Sequence, residues 1–260
     1  MCELLGMSAN VPTDICFSFA GLMRRGGETG PHQDGWGISF FEDGKGVREF
    51  KDSGASCNSE LAKFVKHYPI KSHVVLSHIR QANSGKVSLA NTHPFSREMW
   101  GFPWVYVHNG QLKGIKKKPL QSYLPIGTTD SEYALCYLMG KLKEQFPSYP
   151  KSTSKLFRTI FDLFTEINEM GVFNVLLSDS KYLYCYCSTK LFWIRRSAPF
   201  GEAVLKDDDI RINFVDETTP NDVVSVIATQ PLTENETWNQ MAPGEMLVFK
   251  LGEVIKRYNP

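Results

Sequence analysis

The spacing of apolar and polar residues predicts helices near the start of the chain and in its middle. In each of these segments the apolar side chains recur three or four positions apart, which is typical of a helix with one buried face. We expect Thr13 to cap the first helix and Gly26-Gly27 to end it. We expect Thr129 and Glu132 to form a capping box at the start of another. The later predicted helices cover residues 59–67, 129–145 and 152–170.

Short runs rich in β-branched and aromatic residues predict strands that dominate both ends of the chain. Asp43-Gly44 is typical of a hairpin turn between two of them, and residues 179–181 and 251–252 supply further tight turns. The predicted strands cover residues 2–7, 37–41, 46–50, 72–80, 104–107, 172–177, 182–187, 192–195, 210–215, 223–228, 245–250 and 254–258, and residues 81–98 are predicted to form a loop. This proportion of helices and strands favours an α+β fold, a four-layer αββα sandwich of two antiparallel sheets flanked by helices.

Composition and charge indicate an ordinary globular protein. Of the 260 residues, 42% are hydrophobic and 22% are charged, and the formal net charge is +1, so no long-range field attracts nucleic acid or an anionic membrane. No apolar run approaches the ~20 residues of a membrane span, and the first ten residues lack the pattern of a signal peptide. The six cysteines show no CxxC pair and no zinc spacing. We therefore expect a cytoplasmic protein with reduced cysteines that binds neither nucleic acid nor membranes.

Cys2 is the first candidate for chemistry, because removal of Met1 would make it the first residue of the mature chain. Small side chains next to the initiator methionine favour that removal. Residue 2 would then carry a thiol and a free α-amine, whose ordinary pKa of ~7.7–8.0 would let it accept the proton of the thiol near neutral pH. This is the arrangement of an N-terminal nucleophile that supplies its own base. The alternative is that Cys2 is an inert, small, buried hydrophobic residue.

Other residues could assist a thiolate that attacks a carbonyl group. Asn109 offers side-chain N–H groups and Gly110 lets a backbone N–H approach closely, so both could donate to an oxyanion; the alternative is a hairpin turn. Arg80 ends a predicted strand and could bind a carboxylate with its planar guanidinium, or pair with an acid at the surface. Asp130 begins a predicted helix and could hold an ammonium group, or serve only the helix dipole.

The remaining polar residues have simpler interpretations. We expect His93-Pro94 to shape a loop, and His78 to share a strand face with Arg80. Neither histidine has a partner at metal-ligand spacing, so we expect no catalytic metal and no cofactor. The run of residues 34–37 could be a turn that enters a strand with Trp36 in the core, or it could line a substrate pocket.

Taken together, these segments resemble the glutaminase domain of class II glutamine amidotransferases, a branch of the N-terminal-nucleophile (Ntn) hydrolases. The resemblance spans about residues 2–250 and rests on Cys2 and on residues 78–80, 91–94, 108–110 and 129–132, in the order of the family and at its approximate spacing. Within this family, the chain resembles the single-domain YafJ-like subgroup, because it carries the run of residues 34–37 and lacks a synthetase domain. The resemblance implies the αββα fold of the Ntn hydrolases in a single domain over residues 2–260.

The resemblance also implies a role for each candidate residue. Cys2 would be the nucleophile, with its own amine as base, and Asn109 and Gly110 would form the oxyanion hole. Arg80 would bind the α-carboxylate of glutamine, and Asp130 would bind its α-ammonium group. Attack on the γ-carboxamide would give a γ-glutamyl thioester and ammonia, and water would then release glutamate.

Two departures from the family pattern leave the substrate open. Gln81 and Asn83 stand where synthase-type members carry Trp and Thr, and the stretch around residues 32–37 replaces an Arg-Gly-Tyr-Asp segment. The chain could release ammonia from glutamine for an acceptor domain carried on a partner protein. It could instead be a stand-alone γ-glutamyl amidohydrolase that attacks a substituted amide. In both cases the substrate is a small molecule. The third alternative is a non-catalytic module that regulates a partner.

Overall fold

The computed structural model describes residues 2–82 and 85–260. Along this part of the chain the helices are α1 (Cys16–Arg25), α2 (Glu60–His67), α3 (Asp130–Gln145) and α4 (Thr153–Asn168). The strands are β1 (Glu3–Thr13), β2 (Trp36–Glu42), β3 (Gly46–Asp52), β4 (Ser72–Ile79), β5 (Phe95–Met99), β6 (Phe102–Leu112), β7 (Gly171–Ser178), β8 (Leu183–Tyr186), β9 (Phe192–Ser197), β10 (Glu202–Val204), β11 (Arg211–Asn213), β12 (Val223–Ala228), β13 (Asn239–Gln240), β14 (Met246–Lys250) and β15 (Glu253–Tyr258).

Most of the strands lie in two large antiparallel sheets. Within the described residues, the first sheet has the strand order β13-β9-β12-β1-β4-β2-β3 and the second has the order β15-β14-β8-β7-β6-β5. β10 and β11 form a separate hairpin. The chain starts in the middle of the first sheet, because β1 pairs with β12 on one side and with β4 on the other. Cys2, the residue before β1, therefore lies at the end of a central strand.

Three apolar clusters separate four layers. One cluster lies between the two sheets and contains Leu4, Leu76, Val105 and Val107. A second cluster packs α1 and α2 on the outer face of the first sheet, and a third packs α3 and α4 on the outer face of the second sheet. Side chains alternate between the faces of a strand, and successive residues of β1 and β6 accordingly enter different clusters. The predicted α+β sandwich with αββα layers is confirmed.

The hairpin at Asp43-Gly44 is also confirmed, since it joins β2 to β3 with both turn residues at positive φ. The predicted loop of residues 81–98 is wrong at its end, where residues 95–99 form β5 and pair with β6. The short edge strands β10 and β13 have no counterpart among the predicted strands.

The predicted cap of the first helix is wrong. Thr13 is the last residue of β1, where it pairs with Ser72, and Ile15 stands at the cap position without a side-chain bond. Asp14 instead accepts a hydrogen bond from the backbone N–H of Cys16, at 3.1 Å. The predicted end of this helix is confirmed, because its C-cap is Gly26.

The start of α3 is capped as predicted in one direction. The Thr129 hydroxyl oxygen accepts a hydrogen bond from the backbone N–H of Glu132 at 3.1 Å. The carboxylate of Glu132 does not complete the box; it accepts from the backbone N–H groups of Ile126 and Gly127 and pairs with Arg97. This cap fixes the first turn of α3, which carries Asp130. None of the helices in the described residues is long and apolar enough to cross a membrane.

Candidate active site

Cys2, Arg80, Gly110 and Asp130 line one cavity. Each belongs to a different part of the fold. Cys2 precedes β1, Arg80 follows β4, Gly110 lies in β6 and Asp130 is the first residue of α3. Glu3 pairs with Ile79, so Cys2 and Arg80 are the next positions along two neighbouring strands. The fold therefore brings four of the five predicted site residues to one cavity.

The thiol of Cys2 is half-buried and is held by the backbone of Gln81. The Gln81 N–H donates to Sγ at 3.4 Å, and the thiol lies 3.6 Å from the Gln81 carbonyl oxygen, to which it donates. Burial raises the pKa of Cys2, and the hydrogen bond from Gln81 and the positive charge of Arg80 only partly oppose this effect. The thiol is therefore protonated near neutral pH and needs a base before it can attack.

Arg80 is buried and fixed by the segment before β2. Its backbone N–H donates to the Gly35 carbonyl oxygen at 2.7 Å, and its carbonyl oxygen accepts from the Asp34 N–H at 3.1 Å. One guanidinium nitrogen also donates to the carbonyl oxygens of Asp34 and Lys86, each at 3.4 Å. The Asp34 carboxylate accepts from the Ala82 N–H at 2.7 Å and so anchors the chain beyond β4. Of the two interpretations of residues 34–37, the structure supports the first, because Trp36 is fully buried in the core beside α1.

Asp130 presents a carboxylate held by two backbone N–H groups. Oδ2 accepts from Leu112 at 2.7 Å and Oδ1 accepts from Ser131 at 3.0 Å. The carboxylate also lies at the N-terminus of α3, where the helix dipole stabilises a negative charge. The carboxylate is thus an oriented anion in the wall of the cavity that Gly110 also lines.

Asn109 and Gly110 lie within β6, so the alternative interpretation of this pair as a hairpin turn is wrong. Asn109 pairs with Asn174 and Gly110 pairs with Phe173 of β7. Only glycine fits at residue 110, because a Cβ would lie 1.7 Å from the Val172 carbonyl oxygen. Asn109 does not line the first cavity but a second one, which it shares with Cys2. Its side-chain oxygen is buried and has no hydrogen-bond partner in the described part of the chain.

Three buried histidines stand behind the first cavity, and sequence reasoning gave them no common role. The rings of His78 and His93 lie 4.1 Å apart, and His78 Nε2 donates to the His108 carbonyl oxygen at 3.1 Å. His108 bridges Ser131 Oγ at 2.8 Å and the Val172 carbonyl oxygen at 3.1 Å. Burial lowers the pKa of all three, that of His78 to about 3. The wall they form is therefore uncharged near neutral pH. Its only sequence signal is that His78 and His108 flank the candidate residues.

Of the two positions that depart from the family pattern, Gln81 lies within the described residues. Gln81 lines both cavities and contacts the thiol through its backbone. Asn83 lies outside the described residues. No cluster of three or more histidine, cysteine or acidic side chains suited to a metal ion occurs within residues 2–82 and 85–260.

Comparison with known proteins gives a consistent result. The chain matches the family model described as "Glutamine amidotransferases class-II" over residues 1–260. It is 60% identical over 255 residues to "Putative glutamine amidotransferase YafJ" of Escherichia coli (strain K12), across 98% of this chain and 100% of that protein. A crystal structure of a "predicted glutamine amidotransferase" from Pseudomonas aeruginosa is 50% identical, with a TM-score of 0.79 over 98% of this chain and 100% of that one.

A more distant structure shares the fold. Glutamine phosphoribosylpyrophosphate amidotransferase from B. subtilis is 15% identical, with a TM-score of 0.61. The likeness covers 99% of this chain and 49% of that protein. At this identity the likeness concerns the arrangement of sheets and helices alone.

Proposed function

Because the chain belongs to the class II glutamine amidotransferases, we propose that it is an amidohydrolase whose Cys2 thiolate attacks the γ-carboxamide of glutamine or of a γ-glutamyl amide. The products are ammonia, or an amine, and glutamate. We propose further that residues 2–260 act as a single domain, which the match of the family model to residues 1–260 supports.

The observation that carries this proposal is the cavity that Cys2 shares with Arg80, Gly110 and Asp130. The head group of glutamine has an α-carboxylate and an α-ammonium group. Arg80 offers a planar cation for the carboxylate, and Asp130 offers a fixed anion for the ammonium group. A cavity that combines both charges with a thiol suits an amino acid whose side chain carries the reacting carbonyl.

Once Met1 is removed, the thiol of Cys2 transfers its proton to the α-amine of the same residue. Burial raises the pKa of Cys2, so the thiolate needs a base close by, and an α-amine, with an ordinary pKa of ~7.7–8.0, can act near neutral pH. The same group, now protonated, gives its proton to the departing nitrogen. One group thus serves as base in the first step and as acid in the second.

The negative charge that develops on the carbonyl oxygen is bound by the Gly110 N–H and the Asn109 side-chain amide. Collapse of the tetrahedral intermediate breaks the C–N bond and leaves a γ-glutamyl thioester on Cys2. Attack by water then breaks the C–S bond and releases glutamate.

The experiment that tests the proposal combines mass, labelling and activity. Intact-mass analysis of the active protein should show loss of Met1, and a diazo-ketone analogue of glutamine should add once, on Cys2. Cys2→Ala should abolish the release of ammonia and glutamate. Cys57→Ala is the matched control, since Cys57 is also a half-buried free cysteine but lies outside the cavity.

Three outcomes would contradict the proposal. Retention of Met1 in fully active protein would remove the amine as base. Hydrolysis by Cys2→Ala at the wild-type rate would remove Cys2 as the nucleophile. Absence of both turnover and labelling in the wild-type protein would favour the non-catalytic module.

A further inference from the structure

Cys2 lies at the boundary of two cavities. The first contains Arg80 and Asp130, and the second lies on the other side of the thiol, with Asn109 in its wall. Two neighbouring residues of β6 are divided between the cavities, since Gly110 lines the first and Asn109 lines the second. If the glutamyl group occupies the first cavity, the nitrogen that leaves the carbonyl carbon faces the second.

The second cavity is larger than ammonia requires. The centre of a water-sized sphere has about 250 Å³ of space within it. Ammonia is close in size to water, and about 10–15 Å³ of such space is enough to hold one water molecule. A space of this size accommodates a substituent on the amide nitrogen.

One wall of the second cavity is a turn built by Asn174. Its side-chain oxygen accepts from the backbone N–H groups of residues 188–190 at 3.0, 3.0 and 3.1 Å. Its amide nitrogen donates to the Thr189 hydroxyl at 2.9 Å and to the Asn109 carbonyl oxygen at 3.3 Å. The turn that carries Lys190 is thereby tied to the strand that carries Asn109.

The charges around this cavity leave one exposed cation. Glu3 also lines it, but its carboxylate is paired with Arg25 at 3.4 Å and accepts hydrogen bonds from Thr229 and Gln230. Lys190 is exposed at the wall, and within residues 2–82 and 85–260 its ammonium group has no ion pair or hydrogen bond. A ligand in the second cavity therefore meets a positive charge that no carboxylate of the protein neutralises.

We propose that the second cavity binds the amine side of a γ-glutamyl amino acid, with the carboxylate of that amino acid directed to Lys190. The inference rests on the proposed function and names its substrate class. The bond between Cys2 Sγ and the γ-carbon forms as the bond from that carbon to the amide nitrogen breaks. The departing amino acid takes its proton from the α-ammonium group of Cys2, and water then releases glutamate from the thioester.

The test compares glutamine, γ-glutamylglycine and γ-glutamylethylamide, which are unsubstituted, anionic and uncharged on the nitrogen side. The wild-type protein should have a higher kcat/KM for γ-glutamylglycine than for the ethylamide. Lys190→Glu should lower kcat/KM for γ-glutamylglycine by about 10-fold or more, since it replaces an attraction with a repulsion. The same change should leave kcat/KM for glutamine and the ethylamide near the wild-type values.

Lys155→Glu is the matched control, because Lys155 is an exposed lysine on α4 and makes the same change of net charge. Two results would overturn this inference and leave the proposed function standing. In the first, the wild-type protein hydrolyses glutamine but has no higher kcat/KM for γ-glutamylglycine than for the ethylamide. In the second, Lys190→Glu changes kcat/KM equally for all three substrates. Failure of the proposed function has a different signature, which is no turnover of any of the three substrates and no labelling of Cys2.

Discussion

Replacing Gly110 by alanine should disable the proposed oxyanion hole. A Cβ at this position would lie 1.7 Å from the Val172 carbonyl oxygen and 2.7 Å from His108 Nε2. Contacts of a Cβ below 3.0 Å are essentially never observed, so β6 and β7 would have to separate here by 3.0 − 1.7 = 1.3 Å. A misplacement of ~1 Å can cost about 10²-fold in rate, and loss of one oxyanion donor costs about 10²–10³. We expect kcat/KM for glutamine to fall by about 10²- to 10³-fold.

The assay is steady-state release of ammonia, with circular dichroism and thermal unfolding to show that the variant is folded. Gly201→Ala is the matched control, because a Cβ at residue 201 meets no atom within 4 Å. Asn109→Ala removes the other proposed donor without a backbone clash, and it should lower kcat/KM by about 10²–10³ even if Gly110→Ala fails to fold. A folded Gly110→Ala protein with wild-type kcat/KM, or an Asn109→Ala protein with full activity, would refute the reasoning.

Two further predictions concern charge. Asp130→Asn keeps an oxygen that can accept a hydrogen bond from the Leu112 N–H but removes the negative charge. Since hydrogen bonds to charged groups contribute ~1.5–3 kcal/mol, KM for glutamine should rise by roughly 10- to 150-fold. An unchanged KM in steady-state kinetics would contradict the proposed role of Asp130. Burial lowers the pKa of His78 to about 3. Below pH ~6.5 the unfolded chain therefore binds a proton at His78 that the folded protein does not bind. The free energy of unfolding should then decrease by about 1.4 kcal/mol for each unit that the pH falls, down to a pH of about 3. His78→Gln should remove this contribution to the pH dependence of the free energy of unfolding, as measured by urea titration from pH 4.5 to 7. If the free energy of unfolding depends on pH as strongly in His78→Gln as in the wild-type protein, His78 is not neutral and buried in the folded state.

The elements that sequence patterns predict correctly are those whose signal is local. The hairpin at Asp43-Gly44 needs two residues with positive φ, and these two residue types adopt it readily. Each helix carries apolar residues at helical spacing, because one face packs on a sheet. Such segments depend little on the rest of the chain.

Pairing over long distances decides the elements that the patterns miss. Asn109-Gly110 prefers a turn locally, but β6 pairs with β7 from Val105 to Leu112 and this pairing keeps the two residues in a strand. Thr13 is a good helix cap by residue type, but pairing with Ser72 places it in β1. In both cases a partner distant in the sequence overrides the local preference.

The candidate site divides in the same way. Residue types and their order nominate Cys2, Arg80, Asn109, Gly110 and Asp130. The contact of the Gln81 backbone with the thiol, the histidine wall and the second cavity cannot be read from the sequence, because each joins segments from different elements. Asn109 illustrates the limit, since its neighbour Gly110 lines one cavity while Asn109 itself lines the other.

The register between β1 and β4 fixes the spacing of the proposed nucleophile and the carboxylate-binding cation. Glu3 lies opposite Ile79, which places Cys2 and Arg80 at matching ends of the two strands. A slip of one residue would turn every side chain of β1 to the other face. Leu4 and Leu5 oppose this slip, because Leu4 is buried between the sheets and Leu5 is buried under α1 and α2. The apolar core therefore sets the geometry of the site, and residues that never touch a substrate determine where the thiol lies.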